Sequence, residues 1–111
     1  MLFAGVVLSS CGTSGAVADA RASCVDVHRA LVLQKASDAP GVSTVRQAQL
    51  QARALSALLR ATPSAAAATS IDGSWNALMT TINEAERVPM ADLVPALTRL
   101  CNVADSATPY L

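Results

Sequence analysis

Apolar residues recur along this chain in alternating steps of three and four, the period of a helix face that has to be buried. Val17, Ala20, Cys24, Val27 and Leu31 make the first stripe, with Asp19, Asp26 and Arg29 on the other side. Ser37-Asp38-Ala39-Pro40-Gly41 breaks it. The second stripe is Val45, Ala48, Ala52, Leu55 and Leu59, in a helix predicted from Ser43, a suitable N-cap, to Arg60 or Ala61. Thr62-Pro63-Ser64 follows, with proline suited to the first turn of the next helix. Ala68, Ile71, Trp75, Leu78, Ile82 and Ala85 then predict one helix over residues 63–87, with Gly73 on its solvent side and Trp75 as the largest piece of core. Val88-Pro89 precedes the last stripe, Met90, Val94, Leu97, Cys101 and Ala104. With Asp92 as its cap, Pro95 falls in the first turn, where a missing N–H costs little, and Met90 lies in the preceding turn.

Short connections between four such segments favour antiparallel neighbours. The expected fold is all-α, a small up-down-up-down four-helix bundle. Composition agrees. The chain has 111 residues, enough for one domain, and is 52% apolar with only three aromatics, Phe3, Trp75 and Tyr110. Alanine supplies much of the remainder, and it favours thin, closely packed helices. Eight basic and eight acidic residues cancel, and no segment is strongly basic, so a nucleic-acid binder is not expected.

The N-terminus adds a location. Leu2 to Leu8 is an apolar run too short to cross a bilayer, which takes about 20 residues, but of the length of a short signal-peptide core. Leu8-Ser9-Ser10-Cys11 resembles the bacterial lipobox. The resemblance implies a signal peptide over residues 1–10, cleavage before Cys11 and acylation of its thiol. Gly12-Thr13-Ser14-Gly15 then reads as part of a flexible tether over residues 11–16, ahead of a bundle domain at 17–106 and a tail at 107–111. Nothing before Arg21 is basic, whereas lipoprotein leaders begin with a basic stretch; that stretch is expected upstream of Met1. Ala16-Val17-Ala18 offers an alternative, an A-x-A cleavage site that would make the chain a secreted, unlipidated protein. With Cys11 used or lost at the anchor, Cys24 and Cys101 remain as a pair in an oxidising compartment. In the expected topology both lie roughly 10 Å from the same end of the bundle, at 1.5 Å per residue, so a disulfide would join the first and last helices.

The whole pattern is similar to the small lipoproteins of high-GC Gram-positive, actinobacterial-type bacteria. It implies anchorage to the cell membrane and an envelope protein or cell-wall partner, and it carries no catalytic residues. No nucleophile, metal set or phosphate loop stands out, so neither an enzyme nor a cofactor is expected. His28, the only histidine, reads as a boundary residue with a hydrogen-bonded tip. Asp72, Glu84 and Glu86 read as a solvated face. Arg46, Arg53 and Arg60, seven residues apart, form a stripe beside the apolar face of the second helix. They could meet anionic headgroups or an acidic partner, or simply pair with Asp19 or Asp26. Leu33 and Leu50 fall opposite their helices' stripes and hint at a partner surface. The function expected is that of a non-catalytic binding module of the envelope. The alternative is a carrier of a small apolar ligand, lipid or haem, between the helices.

Overall fold

The computed structural model describes the backbone at residues 2–107 and the side chains at residues 15–107. The described chain is helical without a strand: α1 (Leu2–Ser37), α2 (Thr44–Leu59), α3 (Thr62–Ile71), a 3-10 turn (Gly73–Trp75), α4 (Asn76–Glu84) and α5 (Met90–Ser106). Residues 1–10, where a signal peptide is expected, Cys11 and residues 12–14 of the expected tether lie outside the described side chains. Ala16, also assigned to the tether, is fully buried. At Gly15 a Cβ would stand 3.5 Å from Ile71 Cδ1, so the packed body starts at or before Gly15 and not at Val17.

The first stripe is buried as expected: Val17, Ala20, Cys24 and Val27 all enter the core, together with Ala16 and Ala30. Two buried hydroxyls on α1 are satisfied, Ser23 Oγ donating to the Ala61 carbonyl at 3.0 Å and Ser37 Oγ to that of Gln34 at 2.6 Å. Leu33 is half-buried and packs on the core rather than standing free.

α2 is turned relative to the expectation. Leu50, Ala54, Ala57 and Leu58 face inward, and Leu50 is only 6% exposed. Val45 is 69% exposed, Ala48 and Ala52 are exposed, and Leu55 and Leu59 lie half-covered. The helix carries two apolar faces, and packing chose the one rich in alanine next to α1. Ser43 caps it as predicted, its Oγ accepting from the Arg46 N–H at 3.1 Å.

Proline at position 63 does not turn the chain. Arg60 and Ala61 keep right-handed helical backbone angles, and the Ala65 N–H still reaches the Ala61 carbonyl at 3.1 Å. The Ala61 carbonyl accepts from Ser23 of α1, and Ile71 lies beside Gly15. The break comes instead at Asp72, inside the helix predicted over 63–87. Asp72 is extended (φ −141°, ψ 109°), and its Oδ1 accepts from the Ser74 N–H at 3.0 Å, capping the 3-10 turn that leads into α4. The buried stripe skips Ile71 and resumes beyond the break. Trp75, Leu78, Ile82 and Ala85 are buried, whereas Ile71 is left exposed.

α5 begins at Met90, which is helical and buried, with Pro89 rather than Asp92 at the cap position. Asp92 sits in the first turn, near the positive end of the helix dipole. Pro95 is therefore inside the helix, where it withholds one backbone hydrogen bond. Leu93, Leu97, Cys101 and Ala104 face the core. Cys24 of α1 and Cys101 of α5 form a disulfide, with Cα atoms 5.7 Å apart and both residues fully buried.

Candidate functional site

A groove of about 300 Å³ runs between α1 and α2, lined by Arg29, Leu33, Arg53, Ser56, Ala57 and Arg60. Helical spacing explains the lining. Arg53 and Arg60 are seven residues apart on one edge of α2, and Arg29 and Leu33 are four apart on the facing edge of α1. Arg46 belongs to the same α2 edge but lies a further two turns away and outside the groove lining. Two of the three arginines predicted from sequence therefore meet in one place, and Arg29 joins them from another helix.

The charge of this groove is uncompensated on the α2 side. Arg29 has an ion pair with Asp26, at 3.9 Å, whereas Arg53 and Arg60 have no carboxylate partner among the described residues. Residues 39–71 contain three arginines and no aspartate or glutamate, so the zero net charge of the chain conceals a local excess. On its other side α2 presents a shallow apolar surface formed by Ala52, Leu55 and Leu59, and Ser56 and Arg60 border both hollows.

A second hollow of about 250 Å³ lies where Gln34 of α1 and Gln51 and Leu55 of α2 meet Ala85, Val88, Pro89, Met90 and Ala91. It is small for a ligand pocket, which typically holds about 300–1,000 Å³. His28 is not in its lining. That histidine is half-exposed, its Nε2 2.8 Å from Asp105 Oδ2. Its tip is hydrogen-bonded, as the sequence suggests.

Elsewhere the titratable groups serve the scaffold. Arg21 donates from Nε to the Ala104 carbonyl at 3.0 Å and from Nη2 to the carbonyls of Asp105 and Ala107, capping the end of α5. Glu84 pairs with Arg87 at 3.0 Å on the surface. Among the described residues no three His, Cys, Asp or Glu side chains gather as a metal site, and no helix is long and apolar enough to cross a membrane. No protein family, curated protein or solved structure matches this chain.

Proposed function

We propose that this protein is an extracytoplasmic lipoprotein, anchored to the cell membrane through Cys11, whose helical body is a non-catalytic binding module of the envelope. The observation that carries the reading is the buried Cys24–Cys101 disulfide. Such a bond persists in oxidising compartments and is rare in the cytosol. The arginine groove between α1 and α2 is the binding surface of the module. In this reading the four legs of the bundle, α1, the α2–α3 pair, α4 and α5, alternate up-down-up-down. The registers Ser23 with Ala61 and Cys24 with Cys101 support that order.

The test is an intact mass of the envelope-fraction protein, expressed with its upstream sequence in a high-GC Gram-positive host, before and after reduction and alkylation. A mass that starts at Cys11 with acyl chains, and two cysteines alkylated only after reduction, is the expected result. A cytosolic product with free thiols would overturn both anchor and compartment. An exported product starting beyond Ala16-Val17-Ala18 would make the protein secreted and unlipidated. The carrier alternative would use the hollow beside Met90, between α1, α2 and the start of α5, and would declare itself as a lipid or chromophore that copurifies.

A further inference from the structure

We propose that the α1–α2 face is a membrane-docking surface that takes anionic phospholipid headgroups in the arginine groove and lays exposed apolar side chains on the bilayer interface. The inference rests on the reading that the chain is held at a membrane, and it deepens it: the body is not merely tethered but lies against the lipid.

Four features converge on this face. Arg29, Arg53 and Arg60 line one groove, and Arg46 extends the basic edge along α2. Guanidinium groups bind phosphate oxygens through paired, charge-assisted hydrogen bonds. The groove's volume of about 300 Å³ has room for a phosphate-bearing headgroup. Apolar residues flank the arginines on both sides: Val25 and Val32, 61% and 67% exposed, share the face of α1 that carries Arg29, and Val45, 69% exposed, heads the apolar face of α2 with Ala52, Leu55 and Leu59. A cationic edge bordered by exposed aliphatic side chains is the pattern of an interfacial amphipathic helix. Finally, α2 contains no acidic residue, so nothing along it repels an anionic surface. An acidic protein partner would satisfy the arginines but leaves the flanking valines and leucines without a role.

The experiment uses the mature chain from residue 11 with Cys11→Ser, made without residues 1–10, so that neither an acyl group nor the apolar leader is present and any binding belongs to the body. Co-sedimentation is measured with vesicles of phosphatidylglycerol and phosphatidylcholine mixed, and of phosphatidylcholine alone. Expected is binding to the anionic vesicles that weakens with added salt, and little to the neutral ones. Arg53→Gln and Arg60→Gln should each lower partitioning roughly fivefold, and together roughly twenty-five-fold. Arg87→Gln, on a surface pair elsewhere, is the control and should change nothing. Val45→Ser, at a site 69% exposed, should weaken binding while the circular dichroism melt stays put. Equal binding to both vesicle types, no binding, or indifference to the two arginines would each overturn the docking surface. The lipidation reading fails separately, on the intact mass.

Discussion

Asp72 marks the break between α3 and α4, and one of its carboxylate oxygens caps the turn that follows. Its Oδ1 accepts from the Ser74 N–H, which would otherwise be an orphan donor at the start of the 3-10 turn. That backbone bond first, and the Ser74 hydroxyl second, hold the Asp72 carboxyl below its ordinary value, against a smaller opposing effect of desolvation. A lowered folded pKa means that the unfolded chain takes up its proton first as pH falls. The cap's contribution is therefore complete above the unfolded value of about 3.9 and disappears as pH drops through the lower folded one. Asp72→Asn keeps an acceptor oxygen but has no proton to gain. Urea midpoints of the two proteins should differ most near neutral pH and converge toward pH 2, with α3 and α4 remaining separate helices in both. Parallel pH profiles would mean that the Ser74 bond does not distinguish the two protonation states.

At the scale of the element, two glycines predict opposite outcomes for the same substitution. Gly41 has φ +84°, in the turn that closes α1 after Ser37, where an L side chain is strained. Gly73 lies outside the left-handed region, and a Cβ added there would meet nothing within 4 Å. Gly41→Ala should cost about 1 kcal/mol, while Gly73→Ala should add about 0.5–1 kcal/mol by narrowing the unfolded ensemble. Chemical unfolding of both variants at one pH checks the pair, and the same sign in both would refute the argument. Elements like these also mark how far the sequence could be read. The α1 stripe was legible because Asp19, Asp26 and Arg29 interrupt the faces that compete with it. That of α2 was not, because Val45-Ala48-Ala52-Leu55-Leu59 is as regular as the buried set, and only docking on α1 separates them. The break at Asp72 was hidden by a stripe that stays in period across it, apart from Ile71, while the Pro63 signal overstated a junction whose backbone remains helical. In the candidate site, Arg53 and Arg60 could be read from their spacing. Arg29 could not, because its membership depends on which edge of α1 faces α2; the absence of acidic residues over 39–71 was the available clue that these arginines lack local partners.

For the whole molecule, the disulfide between Cys24 and Cys101 sets how α5 stays on α1. Their sequence separation of 77 means that the bond closes nearly the entire described body into one loop. Chain-entropy reasoning assigns such a loop up to about 4.5 kcal/mol at 25 °C, a large part of the roughly 5–15 kcal/mol that holds a domain together. Packing of α5 does not obviously replace it. Pro95 removes one hydrogen bond from the helix, and the polar ties between α5 and α1 are the Arg21 cap and the half-exposed His28–Asp105 pair. Exposed pairs of that kind contribute about 1 kcal/mol or less. Reduction should therefore lower the unfolding free energy by several kcal/mol, and hydrogen exchange in the reduced protein should rise earliest in α5. Comparing reduced wild type with Cys24→Ala/Cys101→Ala separates the two contributions. The reduced protein has lost only the cross-link, whereas the double variant has also lost two fully buried sulfur atoms from the core. If the reduced protein unfolds within about 0.5 kcal/mol of the oxidised one, packing alone seats α5, and the disulfide is a mark of compartment and not the clasp of the fold.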